Sequence, residues 1–510
     1  MPLLRDLYRP TLGLLTDLYQ LTMAYGYFKL GRHQREAVFQ LTYRKNPFGG
    51  GFAVAAGLAY AIDYLETLRF GPADLSYLET LRGNDDRPLF DRPFLDHLAG
   101  MRFACDVDAA PEGTVVFPHE PLVRVSGPML QAQIVETALL NMVNFQTLVA
   151  TKAARVCLAA RGEHVVEFGL RRAQGIDGGL AASRAAYVGG AHGTSNVLAG
   201  RLFGVPVAGT HAHSWVMSFD TELESFEAYA RAMPNNCVFL VDTYNTLDGV
   251  RHAVEVGKRL RAGGHEMVGI RLDSGDLAYL SIEARKILDA GGFPKAKVLA
   301  SNDLDKNIIA SLKDQGARID TWGVGTKLVT AYDQPALGGV YKLAATRGGP
   351  ADPWQYKVKL SEQAIKISTP GVQQVRRYLD GPAGAEATAD MIYDVHHAPR
   401  GEATIVDPLD FSRRKRIPAG TPYEDLLAPI FRGGERVYDV PELAVSRKRT
   451  GEQLARFHGG VKRFVNPHTY PVGLEKSLYD LKARLILEAR GVPAEPAGSW
   501  APAGEGVATT

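Results

Sequence analysis

The chain has 510 residues, of which 45% are hydrophobic and 22% are charged, ordinary values for a folded globular protein. At about 100–200 residues per domain, this length predicts roughly three domains or two large ones. The 58 basic and 56 acidic residues leave a net charge of only +2. This balance excludes partners recognised through bulk charge, so we expect no nucleic acid and no membrane surface as a partner.

The cysteines and the apolar stretches indicate the cellular compartment of the protein. Cys105, Cys157 and Cys237 are far apart and form no CxxC pair, which argues against a disulfide framework and a structural zinc site. The first residues, MPLLRDLYRP, interrupt their apolar run with charge and proline, unlike a secretory signal. No apolar stretch has the length that spans a bilayer. We therefore expect a cytoplasmic protein.

Helices are predicted for much of the first third of the chain. Residues 12–30 predict a turn and then a helix, for which Thr16 or Asp17 is a suitable cap. Residues 60–100 predict further helices on the surface. Residues 130–160 predict one long helix that is mostly core, and we assign no chemistry to it.

A basic stretch follows the first predicted strand. Val38, Phe39 and Leu41 predict this strand, and the sequence YRKNPFGGG comes directly after it. Basic side chains beside glycines suit a phosphate, whereas a solvent-exposed turn is the commoner use of such a stretch. Both interpretations of Tyr43-Arg44-Lys45 remain open.

Short apolar strands alternate with amphipathic helices from about residue 164. The predicted strands are HVVEF, VPVAG, CVFLV, MVGIRL, KVLAS and IDTWGVG. Val238, Val268 and Val298 are spaced thirty residues apart, which is the length of one strand–helix–strand unit. Parallel strands joined by helices predict an α/β barrel or a doubly wound sheet. Six or seven units without a GxGxxG turn favour an irregular, TIM-like barrel.

These patterns divide the chain into four parts. Residues 1–145 are predicted to form an N-terminal α/β segment, and residues 146–345 the barrel. Residues 346–491 are predicted to pack with the N-terminal part, so that the two terminal segments build a second α/β domain. The low-complexity residues 492–510 are expected to be disordered.

Polar clusters follow nearly every predicted barrel strand. The ends of these strands face one rim of a barrel, where barrel enzymes carry out their chemistry. The clusters are Phe168-Gly169-Leu170-Arg171-Arg172, Gly193-Thr194-Ser195-Asn196, His211 with His213, Asp242-Thr243-Tyr244, Arg271-Leu272-Asp273-Ser274-Gly275-Asp276, Ser301-Asn302-Asp303 and Gly323-Val324-Gly325-Thr326-Lys327.

Each cluster alone also has a structural explanation. Asp303 is a suitable helix N-cap, and a single histidine is more often a core residue than a catalyst. The turn that ends in Lys327 favours a phosphate, because late barrel strands commonly hold one through glycine amides. So many clusters at one rim favour an enzyme over a set of solvated loops.

The rim predicts an anionic, phosphorylated ligand. The cationic donors suited to phosphate or carboxylate are Arg171, Arg271 and Lys327. The oxygen ligands suited to Mg²⁺ or to ribose hydroxyls are Asp242, Asp273 and Asp276. Phe168 has a flat ring on which a planar heterocycle stacks.

Longer motifs surround these clusters and cover most of the chain. They are TDLYQLTMAYGY, RKNPFGGGFAVAAGL, EFGLRRAQG, GTSNVLAGRLFGVPVAGTHAHSW, VDTYNT, GIRLDSGDL, SNDLD, WGVGTKLVTAYDQPALGGVYKL and NPHTYPVGLEKSLYDLKARLI. With these motifs the chain resembles the ATP-dependent nicotinate phosphoribosyltransferases and, more distantly, the nicotinamide phosphoribosyltransferases.

The resemblance implies an activity and its partners. The implied enzyme joins nicotinate to phosphoribosyl pyrophosphate and forms nicotinate mononucleotide and pyrophosphate in NAD biosynthesis. It also implies Mg²⁺, coupling to ATP hydrolysis through a phosphohistidine, and a homodimer with shared active sites. His213 matches the phosphohistidine, and His211, which replaces a residue that is usually apolar in the family, is the competing candidate.

The resemblance also implies roles for individual residues. Phe168 matches the aromatic residue that stacks on the pyridine ring, and Tyr19 matches the one contributed to the other face by a second subunit. Arg171 matches the arginine beside the base, whereas the role of Arg172 remains open. The implied catalytic residues are His213, Arg271 and Asp273. The other implied substrate-binding residues are Thr194, Ser195, Asp242, Ser301 and Asn302, with Gly323, Gly325, Thr326 and Lys327 in a 5′-phosphate loop.

Ser195 bears on the choice of base. Nicotinamide-using relatives carry an acidic residue in this turn, which accepts a hydrogen bond from the amide. A neutral hydroxyl tolerates the carboxylate of nicotinate, which an acidic residue would repel. The sequence therefore favours nicotinate over nicotinamide. A catalytically silent barrel that only binds a metabolite is a further alternative.

Overall fold

A computed structural model describes residues 11–381 and 386–492. At its centre is a six-stranded parallel sheet, and the strands predicted at HVVEF, CVFLV, MVGIRL, KVLAS and IDTWGVG all belong to it. In spatial order its strands are Gly193–Thr194, His164–Glu167, Thr321–Val324, Lys297–Ala300, Gly269–Leu272 and Val238–Leu240. The strand at Gly193 was predicted to be a turn. It is short, but its parallel pairing with the neighbouring strand makes it the edge of the sheet.

The segment from Val207 to His211 joins the two edges of this sheet. The predicted VPVAG strand is reduced to a single bridge, in which Val207 pairs in parallel with Thr194. Four residues later, Nε2 of His211 accepts a hydrogen bond from the backbone N–H of Leu240, at 3.2 Å, on the opposite edge. The chain therefore closes an irregular α/β barrel with a side chain instead of a full strand.

Amphipathic helices pack on the outside of the barrel. The helix Thr246–Ala262 buries Val250, Val254 and Leu260, as their spacing predicts, and two glycines follow it. The other helices of this part are Gly175–Val188, Val197–Phe203, His213–Met217, Glu222–Ala232, Leu277–Ala290, Lys306–Asp314 and Thr326–Val329.

One helix begins later than the sequence predicts. Asp305, not Asp303, caps the helix Lys306–Asp314, because its carboxylate accepts hydrogen bonds from the N–H groups of Asn307 and Ile308 at 2.9 Å each. Leu304 is buried in the core ahead of the helix, which leaves Asp305 at the cap position. The predicted capping role of Asp303, an exposed residue, is wrong.

The two terminal segments build the second domain together, as predicted. Its antiparallel sheet takes strands from both, in the order Gln355–Tyr356, Val340–Arg347, Glu36–Thr42, Val123–Pro128, Asp106–Ala109, Ala428–Arg432 and Glu435–Arg436. The strand predicted at Val38 lies in its interior. A small additional pair is formed by Ala53–Val54 and Val115–Val116.

The predicted domain boundaries fall inside regular structure. Residue 145 lies within the helix Glu136–Ala160, and residue 345 lies within the strand Val340–Arg347. This strand pairs with Glu36–Thr42 of the second domain, so the chain leaves the barrel before residue 340. No glycine or proline marks the passage of the long helix from one domain to the other.

The long helix of residues 130–160 is present as Met129–Ile134 and Glu136–Ala160. It is mostly core, as predicted, but it also buries Lys152 and Arg155 completely. The remaining N-terminal helices are Leu18–Lys29, Leu58–Thr67, Pro72–Thr80 and Arg92–Gly100. Asp17 occupies the N-cap position of the first of them, but its side chain makes no capping hydrogen bond. The predicted surface position is wrong for Leu58–Thr67 and for Arg92–Gly100, each of which packs one apolar face into the core. Within the described ranges, no helix has the length and apolar character needed to cross a membrane.

A third sheet belongs to the C-terminal segment alone. Its order is Arg414–Ile417, Ala403–Val406, Val472–Glu475, Glu386–Asp394, Gln373–Asp380 and Tyr423–Asp425, and the helices of this segment are Leu443–Ala455 and Lys476–Ala489. The predicted disorder of residues 492–510 lies outside the described residues except for residue 492, and so does the N-terminal sequence MPLLRDLYRP.

One fully buried ion pair ties this third sheet to its surroundings. The side chains of Arg377 and Asp390 are 0% exposed and their charged atoms are 2.5 Å apart. Arg377 also donates hydrogen bonds to the carbonyl of Val115 and to Gln453, and Tyr470 donates its hydroxyl to Asp390. A single guanidinium therefore connects several segments that are far apart in sequence.

Replacing Arg377 with methionine should lower the free energy of unfolding by about 3–5 kcal/mol, because Asp390 would remain buried without a counter-charge. The matched control is Arg416→Met, whose pair with Glu402 lies on the surface and should change stability little. Chemical unfolding of both variants measures the difference. Equal losses in the two variants would contradict this role of Arg377.

Candidate active site

The predicted polar clusters converge at the rim, which is the carboxyl end of the parallel strands. Arg271 lies at their centre and donates from Nε to Ser301 Oγ at 2.8 Å, from Nη1 to Thr210 Oγ1 at 3.2 Å and from Nη2 to Asp273 Oδ1 at 2.9 Å. Its guanidinium carbon lies 5.6 Å from the centre of the Phe168 ring. Arg271 therefore contacts three other predicted site residues directly, and also Thr210, which the sequence did not single out.

Asp273 is the acidic member of this network. Burial raises the pKa of Asp273, but the hydrogen bond from Ser301 and the charge of Arg271 outweigh it and hold the pKa below its ordinary value. The carboxylate therefore carries its charge at neutral pH. Its second oxygen, Oδ2, lies 3.6 Å from Nε2 of His213.

His213 lies next to two carboxylates. Its Nδ1 is 3.1 Å from the hydroxyl of Thr243, and its Nε2 is 3.6 Å from Asp273 and 4.0 Å from Asp242. The side chain is 40% exposed. An imidazole in this position is accessible to a ligand and is oriented by its neighbours.

His211 has a different environment. Its side chain is buried against the Tyr229 ring, Nε2 accepts from Leu240, and Nδ1 faces the carbonyl of Ala212 at 3.4 Å. Burial lowers the pKa of His211 to about 4, so the imidazole is neutral. Both ring nitrogens therefore serve the fold.

Asp242 supports the loop that carries Asp273. Its Oδ2 accepts hydrogen bonds from the backbone N–H of Asp273 at 2.9 Å and from the hydroxyl of Ser274 at 2.5 Å. Its Oδ1 is buried and has no hydrogen-bond partner among the described residues. A buried carboxylate oxygen without a donor fits a divalent cation, and Mg²⁺ is typically held by one or two carboxylates together with substrate phosphates. No ready-made group of three or more acidic, histidine or cysteine ligands exists in the described ranges.

The glycine-rich turn after the strand Thr321–Val324 packs against the site. A Cβ on Gly323 would lie 2.5 Å from the Phe168 ring, so the ring can pack here only against glycine. Gly325 leads into the short helix that begins at Thr326. Nζ of Lys327 lies 3.4 Å from Asp305, an acid that the sequence did not single out.

A buried acid also organises the neighbouring turn. Glu167, the last residue of its strand, is fully buried and accepts hydrogen bonds from the Gly169 N–H, from Ser183 Oγ at 2.8 Å and from Thr194 Oγ1 at 2.5 Å. The hydroxyl of Thr194 is therefore used internally. Ser195 next to it is half-buried. The only sequence signal for Glu167 was an acid at the end of an apolar strand.

Several predicted residues lie at the edge of the rim or apart from it. Arg171 and Arg172 are exposed on a single helical turn after Phe168, and Asn302 has a left-handed backbone, with φ of 95°. Tyr19 is half exposed on the helix Leu18–Lys29 and lines a separate cavity of about 390 Å³.

The basic stretch after the first strand also lies apart from the rim. Tyr43 is buried and donates its hydroxyl to the carbonyl of Val116. Arg44 and Lys45 line a cavity of about 1050 Å³, whose other walls come from Phe117 and from the C-terminal segment.

Models of one protein family match three successive parts of the chain. Residues 14–144 match the nicotinate phosphoribosyltransferase N-terminal domain, residues 164–346 match the nicotinate phosphoribosyltransferase family, and residues 372–482 match its C-terminal domain. The chain belongs to the nicotinate phosphoribosyltransferase family. The family predicted from the motifs is thereby confirmed.

Individual members of this family are similar to the chain over nearly its full length. The nicotinate phosphoribosyltransferase of Bacillus subtilis is 42% identical, over 94% of this chain and 96% of that protein. Nicotinate phosphoribosyltransferase pncB2 of Mycobacterium tuberculosis is 47% identical, over 93% and 94%. The crystal structure of human nicotinic acid phosphoribosyltransferase matches with a TM-score of 0.80 at 34% identity, over 92% of this chain and 99% of that one. The predicted fold class is confirmed.

Replacing His211 with glutamine should flatten the pH dependence of stability between about pH 6.5 and 4. In this window the His211 imidazole is protonated in the unfolded chain but stays neutral in the folded protein. The wild-type protein therefore loses stability as pH falls. Glutamine keeps an acceptor for Leu240 but does not titrate. Chemical unfolding at a series of pH values measures the effect, and identical slopes for the two proteins would contradict it.

Proposed function

We propose that this member of the nicotinate phosphoribosyltransferase family joins nicotinate to phosphoribosyl pyrophosphate and forms nicotinate mononucleotide and pyrophosphate. The observation that carries the proposal is the network around Arg271, which brings Asp273, Ser301 and Phe168 together beside His213. The relatives in the family are named for this reaction.

The network suits the charge changes of this transfer. The pyridine nitrogen attacks C1 of the ribose while the bond from C1 to pyrophosphate breaks, so negative charge gathers on the leaving group. Arg271 is already fixed by three hydrogen bonds and stabilises this charge without reorganising. Phe168 provides a flat surface for the pyridine ring, and Lys327 lies in the turn assigned to the 5′-phosphate.

Mg²⁺ fits this site, with Asp242 and Asp273 as the residues that would hold it. The support is the buried Oδ1 of Asp242, which has no donor within the described chain. When bound, the ion neutralises charge on the pyrophosphate. The substrate's own oxygens would complete its ligands, because two carboxylates alone do not fill the coordination sphere of the ion.

ATP coupling is assigned to His213 as the phosphohistidine. Its support is exposure and orientation, since the imidazole is 40% exposed and faces two carboxylates, whereas His211 is buried with both nitrogens engaged. A phosphoryl group on His213 adds negative charge beside Asp242 and Asp273. Such a change biases the surrounding loops between two arrangements.

Replacing His213 with alanine should abolish the stimulation of product formation by ATP and leave a residual ATP-independent rate, because Arg271 and Phe168 remain. Initial rates with and without ATP measure this. The control is His265→Ala, a histidine bonded to Asn235 at the opposite, amino-terminal end of the strands. ATP stimulation that persists in His213→Ala would rule out this assignment.

Nicotinate is the proposed base because Ser195 is neutral. Replacing Ser195 with aspartate should lower kcat/KM for nicotinate by about tenfold or more, since about 1.4 kcal/mol of charge repulsion suffices for that factor. The uncharged control Ser195→Asn should lose much less. Turnover of nicotinate and nicotinamide by each protein is the measurement. A wild-type preference for nicotinamide would contradict the choice of base, and bound nicotinate without product would indicate a silent barrel.

A second copy of the chain is proposed to complete the site. Tyr19 lies on a helix whose Leu18 and Met23 are also exposed, and it does not line the rim of its own chain. A homodimer would bring this aromatic side chain to the other face of the base.

The cytoplasmic location remains a prediction.

A further inference from the structure

A group of buried cations lies behind the glycine-rich turn, on a helix to which the sequence assigned no chemistry. Lys152 and Arg155 are one helical turn apart on Glu136–Ala160 and are 0% exposed. Lys306, the first residue of the helix packed against it, is 6% exposed. Burying three positive charges is costly unless each charge has a counter-charge.

Arg155 has no acceptor within the described residues. Its Nε, Nη1 and Nη2 are all buried and form no hydrogen bond. Its neighbours are the Phe464 ring, 5.6 Å away, and Gly50, where a Cβ would lie 2.2 Å from Nη1. A guanidinium has five N–H donors, and buried donors nearly always have acceptors. The acceptor for these donors must therefore come from outside the described residues.

Lys152 contacts two residues with left-handed backbones, Asp333 and Phe48. Its Nζ donates to the carbonyl of Tyr332 at 2.8 Å and to Asp333 at 3.0 Å, and it lies 4.7 Å from the centre of the Phe48 ring. Asp333 and Phe48 both have left-handed backbones, with φ of 80° and 58°. Asp333 therefore serves as the counter-charge of Lys152, and its charge also acts on Lys306.

The other nearby acid is already engaged. Asp305 caps its own helix and pairs with Lys327 of the glycine-rich turn. Burial, together with the positive charges of Arg155 and Lys152, lowers the pKa of Lys306. Positive charge therefore exceeds negative charge in this interior region.

We propose that Lys152, Arg155 and Lys306 form an internal binding site for a small inorganic anion. The planar fork of Arg155 suits an oxyanion such as phosphate, and chloride is a smaller anion that the same cations attract. The site differs from the rim, because its three cations are buried beneath the turn that faces the substrate. The bound anion stabilises the fold and, through Asp305, fixes the position of Lys327. The proposed anion site does not depend on the proposed reaction.

The test introduces a carboxylate of the chain at the place where the anion is proposed to bind. Lys306→Glu should raise the melting temperature by several degrees in a buffer whose only anion is bulky. It should also remove most of the further rise that chloride or phosphate produces in the wild-type protein. The matched control is Lys258→Glu, an equal charge change at an exposed position, which should keep the wild-type response. Phosphate bound at the rim contributes equally to the wild-type protein and to Lys258→Glu.

A second variant covers the case in which Lys306→Glu does not fold. Arg155→Met removes the unpaired guanidinium and should weaken the apparent affinity for the anion about tenfold or more, the factor expected for losing a charge-assisted hydrogen bond. A response to phosphate alone identifies an oxyanion site, and a response to both anions identifies a site for small anions in general. The proposal is overturned if the wild-type protein responds no more than a protein carrying Lys306→Glu or Arg155→Met does.

Discussion

The geometry of the rim depends on one guanidinium held from several sides. Arg271 binds a carboxylate and two hydroxyls that come from the loops after two strands and from the turn after the Val207 bridge, and it faces the Phe168 ring. Because each contact comes from a separate loop, none of these loops can shift without breaking a bond to Arg271. Asp242 adds a second constraint, since it binds the backbone N–H of Asp273 and thereby orients the carboxylate that faces His213.

Much of this arrangement could be predicted because it depends on local sequence. The regular spacing of apolar segments located five of the six parallel strands, since each strand must bury its own side chains in the sheet. Arg271, Asp273 and Ser301 were placed at the rim because they follow those strands directly. The motifs identified the family from the same side chains, and the matches to the family models agree.

Other features could not be predicted because they depend on contacts distant in sequence. His211 and His213 are two residues apart but differ in environment, because His211 packs on Tyr229 and binds the Leu240 N–H, whereas His213 faces two carboxylates. Glu167 organises Ser183 and Thr194, neither of which is its neighbour in the chain. The burial of Lys152 and Arg155 could not be predicted, because helical spacing identifies an apolar face and places charged residues on the solvent side. Asp305 replaced Asp303 as the cap because of tertiary burial of Leu304.

The strand Val340–Arg347 pairs along its whole length with Glu36–Thr42, about three hundred residues earlier in the chain. During synthesis the first of these strands is complete long before its partner leaves the ribosome. Its edge must therefore stay unpaired, or be shielded by a chaperone, while the entire barrel is being made. Pairing over such a sequence separation also predicts slow maturation. A chain that stops after the barrel would expose this edge and tend to aggregate, although every residue of the rim would already be present.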